Sequence, residues 1–148
     1  MSKVVWASFF GHYDALCETL TDPSVDPSAN HNSALRFAAK NGHANIIRRL
    51  MMDPRVNPSD CANEALMTAC EKGYVEIVKL LLADPRVDPR ADNGHSLSLA
   101  SYYGHTDIVE LLLRDSRVDP GADEEMALLV ARENNHREVV DLLKKSYC

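Results

Sequence analysis

Six histidines, four cysteines and a recurring Asp-Pro-Arg triplet are the residues of this chain whose types could do chemistry. Imidazoles and thiols bind metals or serve as bases and nucleophiles, and stacked arginines read phosphates. Spacing decides among these uses. His12, His43, His105 and His136 lie 31 residues or a multiple of 31 apart. If each copy stands on its own helix pair, neighbours are about 8–10 Å apart. That is too far to share one metal at bond lengths of about 2.0–2.1 Å. His31 and His95 have no evident partner in the sequence. Cys17, Cys61, Cys70 and Cys148 show no Cys-x-x-Cys spacing and read as free thiols rather than a disulfide framework. No nucleophile, base and orienting group recur together, and there is no glycine-rich phosphate loop. Arg55, Arg86 and Arg117 are flanked by Asp53, Asp84 and Asp115 and by Asp26, Asn57, Asp88 and Asp119. Those carboxylates would repel a phosphate, so the charges are expected to hold successive loops in register. No catalytic residue, metal, cofactor or small-molecule ligand is expected.

The elements that carry these residues repeat. Ala7, Ala38, Ala69, Ala100 and Ala131 form one column of a 31-residue register. Val4, Leu35, Leu66, Leu97 and Leu128 form a second, and Val25, Val56, Val87 and Val118 a third. Pro27, Pro58, Pro89 and Pro120 form a fourth. In the unit 33–63, Ala34, Leu35, Ala38 and Ala39 share a helical face, which predicts a helix from Ser33 to about Lys40 with Ser33 as its cap. Asn41-Gly42 ends it, with Gly42 suited to positive φ. Ile46, Ile47, Leu50 and Met51 give a second apolar stripe, so Ala44 to Met52 is the partner helix. Asp53-Pro54 stops that helix, and the two prolines predict an extended link to Pro58. Helices of roughly 8 to 10 residues are too short to stand alone. Stacked units bury each other's faces instead, with the alanine column letting neighbours approach. The fold expected is an all-α solenoid of about five helix-turn-helix repeats over a single domain, 1–148, divided near 1–32, 33–63, 64–94, 95–125 and 126–148.

The segments Ala38-Ala39-Lys40-Asn41-Gly42-His43, Gly73-Tyr74-Val75-Glu76-Ile77-Val78-Lys79-Leu80-Leu81-Leu82 and Gly104-His105-Thr106-Asp107-Ile108-Val109-Glu110-Leu111-Leu112-Leu113 resemble the ankyrin repeat. The likeness runs through essentially the whole chain, with a 31-residue period shorter than the family's usual one and an Asp-Pro-Arg-Val-Asp-Pro finger. The family's Thr-Pro-Leu-His start survives only as its leucine, so softer helix starts are expected at Glu64, His95 and Met126. The resemblance implies that the histidine column bonds a neighbouring finger's backbone, with Tyr74 packing in the same slot. It also implies a non-catalytic scaffold that binds a partner protein in a concave groove. The two residues before each Gly-His glycine would face that groove: Phe9-Phe10, Lys40-Asn41, Glu71-Lys72, Tyr102-Tyr103 and Glu133-Asn134. Tyr102, Tyr103, Glu71, Lys72, Lys40, Asn41, Glu133 and Phe10 are the partner-binding candidates, with the tyrosines as anchors. Phe9 and Phe10 also suit a role beside Trp6 in closing the amino-terminal end.

A net charge of -6 and a pI near 5.4 argue against nucleic acid as a partner. No run of 18 apolar residues and no apolar leader is present, so no membrane partner and a cytoplasmic location are expected, with the nucleus also open to the chain. Charge is polarised along the sequence. Residues 31–59 carry five cations against one carboxylate, a net of +4, and residues 119–141 carry two against seven, a net of -5. The acidic end with Lys144 and Lys145 suits a polar cap. A monomer is the default, and end-to-end stacking of oppositely charged ends is the alternative.

Overall fold

The computed structural model describes residues 1–90, 94–118 and 124–146. Asp119, Pro120, Asp123 and Cys148, named above, lie outside the described residues. Among the described residues there are ten helices and no strand. They come as pairs: α1 Lys3–Phe10 with α2 Tyr13–Thr19, α3 Ala29–Lys40 with α4 Ala44–Met51, and α5 Asp60–Lys72 with α6 Val75–Ala83. The series continues with α7 His95–Tyr103 and α8 Thr106–Arg114, then α9 Glu124–Glu133 and α10 Arg137–Ser146. Odd-numbered helices pack on one another in chain order, and even-numbered helices do the same. The result is an all-α solenoid of helix-turn-helix repeats, two layers deep.

The alanine column works as its size requires. Ala7, Ala38, Ala69, Ala100 and Ala131 are all fully buried at 0 % exposure, so consecutive first helices pass with little between them. The second helices fill the remaining space with long side chains at i, i+1 and i+4. Ile46, Ile47 and Leu50 recur as Ile77, Val78 and Leu81 and as Ile108, Val109 and Leu112, all buried. Each such side chain contributes about 1.5–3 kcal/mol when fully buried.

Two local expectations need correction. The proline-bearing links are wound into turns rather than extended. Val25, Val56, Val87 and Val118 each donate a backbone N–H to the carbonyl of the aspartate three residues earlier, at 3.0–3.1 Å. That aspartate's Oδ1 also accepts from the backbone N–H two residues on, at Ser24, Arg55, Arg86 and Arg117. An aspartate that folds its own backbone in this way closes a turn, and a proline behind it pre-sets the turn's φ. Ser33 is not a cap: its Oγ donates to the Ala29 carbonyl at 3.2 Å. Three residues of left-handed backbone precede it instead, Asn30, His31 and Asn32 at φ 54–56°. The same device recurs at Cys61, Ala62 and Asn63, with φ 53–64°. Ser2 does cap its helix: its Oγ accepts from the Val5 N–H at 3.3 Å.

Candidate partner-binding surface

The histidine column belongs to the scaffold. His43 Nε2 donates to the Phe9 carbonyl at 3.0 Å, His105 Nε2 to the Glu71 carbonyl at 3.0 Å, and His136 Nε2 to the Tyr102 carbonyl at 2.9 Å. A carbonyl only accepts, so each ring carries its proton on Nε2. The acceptors sit at the ends of the preceding first helices, not in the neighbouring finger. Tyr74 takes the same slot against Gly42. His12 stacks on Trp6 at 4.7 Å. The glycines that end the first helices serve twice. Gly73 has φ +77°, and a Cβ there would come within 2.7 Å of the His105 ring.

The arginine column also binds backward along the stack. Arg86 holds Asp84 with Nε and Nη2 while Nη1 donates to the Val56 carbonyl at 2.8 Å and Nη2 to the Met51 carbonyl at 2.9 Å. Arg117 repeats this with Asp115, Val87 and Leu82, and Arg55 reaches Val25. The ion pair is therefore internal to each loop, and the bond between repeats runs to backbone carbonyls rather than to the next carboxylate. Hydrogen bonds from these arginines hold the carboxyls of Asp53, Asp84 and Asp115 below the usual aspartate range.

With these columns spent on packing, the residues before each glycine remain as one row along the ends of the first helices. Tyr102 and Tyr103 are 47 % and 46 % exposed, their rings edge-to-face at 4.9 Å, and Tyr103 stacks on His105 at 6.1 Å. Phe10 is 54 % exposed and touches both Phe9 and Trp6. Lys40, Lys72 and Glu133 are exposed. Glu71 is half-buried and lies 3.7 Å from Lys72 Nζ. Asn41 is exposed, but its amide donates to the Phe37 carbonyl at 2.8 Å and so helps end α3. The aromatic run extends to Phe37, 5.7 Å from Phe9, which joins the first and second repeats at this face.

Sequence reasoning missed a pair of buried asparagines. Asn32 and Asn63 are buried in their left-handed turns and reach the next repeat's loop. Asn32 Oδ1 accepts from the Asn57 N–H at 2.9 Å and its amide donates to Asp60 Oδ2 at 2.8 Å, while the Asn63 amide donates to the Asp88 carbonyl. Asparagine at two positions 31 residues apart, followed in the same column by Gly94 and Glu125, was the available signal. His31 likewise has a partner, contrary to expectation: its Nδ1 lies 4.0 Å from Asp60 Oδ2.

Charge polarisation is smaller than the sequence implies. Of the five cations in 31–59, Arg36 pairs with Glu64 at 2.6 Å, Arg48 with Glu76 at 3.0 Å and Arg55 with Asp53 at 2.7 Å. The first two partners come from the following repeat and offset two of the segment's four net positive charges. A cleft of about 560 Å³ at the amino-terminal end is lined by Lys3, Trp6, Ala15, Glu18, Asp22 and Val25, the face on which a preceding repeat would pack. No helix among the described residues is long and apolar enough to cross a membrane.

Two family models match the chain. One, for ankyrin repeats in three copies, matches residues 4–93, and the other, for a single ankyrin repeat, matches residues 95–125. A search of the curated proteins finds no match.

Proposed function

Because this chain belongs to the ankyrin repeat family, whose repeats are generic protein-interaction modules, we propose that it is a non-catalytic scaffold that holds a partner protein in its groove. The row before the glycines is the proposed contact surface, anchored at Tyr102 and Tyr103. Lys40, Asn41, Glu71, Lys72, Glu133 and Phe10 set specificity around them. The observation that carries this reading is the exposure of two adjacent tyrosines, 47 % and 46 %, on a helix end whose backbone is fixed by His136. Tyrosine on a rigid support gives large contact area with a polar tip at a small entropic cost. Variation supports the same row, since five different residue pairs stand in one otherwise repeated frame. End-to-end assembly is the weaker reading, because the basic segment is largely paired within the stack. Cys17 and Cys61 form no disulfide, which agrees with action in the cytoplasm or nucleus.

The test is capture from a cell extract with the wild-type chain and with Tyr102→Ala/Tyr103→Ala, both checked for equal thermal stability. The wild type is expected to retain a protein that the double variant releases. Identical sets of bound proteins would remove the tyrosines from the proposal.

A further inference from the structure

Three metal-ligating side chains converge where the left-handed turn at the start of α3 meets the one at the start of α5. His31 Nδ1, an Asp60 carboxylate oxygen and Cys61 Sγ all lie within 4.8 Å of one another, with Nδ1 and Oδ2 4.0 Å apart. His31 and Cys61 are exposed and Asp60 is half-buried, so an ion can enter from solvent. We propose that His31, Asp60 and Cys61 form a zinc site that clamps the second repeat's leading loop to the third's.

The donor set selects the metal. One imidazole nitrogen, one thiolate sulfur and one carboxylate oxygen suit Zn²⁺, whereas Mg²⁺ and Ca²⁺ take oxygen ligands almost exclusively. In a tetrahedral zinc site with bonds of about 2.0–2.3 Å, ligand atoms stand about 3.3–3.8 Å apart. Rotation of the exposed His31 and Cys61 side chains closes the remaining gap. Three protein ligands leave the fourth position to water.

The carboxylate is already oriented. Asp60 Oδ1 accepts from the Cys61 N–H at 2.8 Å and Oδ2 from the Asn32 amide at 2.8 Å. Second-layer hydrogen bonds of this kind fix a ligand's direction before the metal arrives.

The repeated left-handed turns carry two of the three ligands. His31 and Cys61 both lie in the left-handed region, at φ 56° and 53°, where a residue with a Cβ costs about 1–2 kcal/mol. Asn30, Asn32, Ala62 and Asn63 share this conformation, so it belongs to the repeated turn, on which His31 and Cys61 come within 4.8 Å of each other. The repeat register does not demand these residue types: 31 positions on, the sequence has Ala62, Ala91 and Asp92. On binding, Cys61 releases its thiol proton to solvent and His31 coordinates through Nδ1 with its remaining proton on Nε2. The ion's two positive charges then face one thiolate and one carboxylate.

The test uses the full-length chain under reducing conditions, titrated with Co²⁺ as the spectroscopic probe and with Zn²⁺ in equilibrium dialysis. One zinc per chain, a thiolate-to-cobalt charge-transfer band and bleaching of that band by zinc are expected. Cys61→Ser and His31→Ala should each abolish the band and weaken zinc binding by more than about tenfold. Both side chains are exposed, so circular dichroism should show both variants folded. Cys17→Ser should keep the band. Absence of the band in the wild type, or its survival in Cys61→Ser or His31→Ala, overturns the proposal.

Discussion

At the scale of single residues, the repeating side chains are spent on joining one repeat to the next. The histidine donates to a helix-end carbonyl of the preceding repeat, the arginine to carbonyls in the loop and helix before it, and the glycine leaves room for the following histidine. Gly73 combines both demands on glycine, a φ of +77° and a ring 2.7 Å from where a Cβ would stand. Gly73→Ala should therefore cost about 2 kcal/mol, the left-handed penalty plus displacement of His105. For a chain of this size that lowers Tm by about 4–8 °C in a thermal melt. A melt unchanged from wild type would mean that neither demand is real. The glycine and histidine columns were legible because each repeats at one spacing. The zinc-site cluster was not, since His31 stands in a different column from Asp60 and Cys61 and no motif links them.

At the scale of elements, the helix pairs followed directly from periodicity: apolar stripes at i, i+1 and i+4 mark the second helices, and alanines mark the first. Both helices of the second repeat end where the Asn41-Gly42 and Asp53-Pro54 breaks put them. What escaped the sequence were the links. Proline bias alone predicts extended chain, but an aspartate ahead of it accepts from the backbone two residues on and closes a turn. The left-handed turns at the starts of α3 and α5 were equally hidden, because Cys61 and Ala62 are poor indicators of positive φ. This gives a prediction with an unusual sign. Ala62 is exposed and at φ 53°, so Ala62→Gly removes a steric penalty without removing packing. It should raise stability by about 1 kcal/mol, read as an increase in the chemical-denaturation midpoint at unchanged slope. The lowered midpoint normally produced by glycine would contradict the turn.

At the scale of the whole molecule, three loops share one Asp–Arg pair and one direction of attachment, so their responses to pH should add. Asp53, Asp84 and Asp115 have folded-state carboxyls below their unfolded values. Their contribution is complete above the ordinary aspartate pKa of about 3.9 and is lost as pH falls through the lowered folded values. Tm should hold near neutrality and fall steadily once the pH drops below about 4. A melt insensitive to acid there would mean that the pairs do not stabilise the stack. Such a stack, tied by backbone-directed bonds, presents its variable row on a fixed frame, and that row was legible only through the family resemblance. The most direct test of that central claim is a binding titration of a purified partner against wild type, Tyr102→Ala/Tyr103→Ala, and a control such as Lys79→Ala on the second-helix layer. The double variant should lose about tenfold or more in affinity, as expected of hot-spot aromatics, while the control stays at the wild-type value. Equal affinity for all three proteins, or a loss confined to the control, would contradict the account.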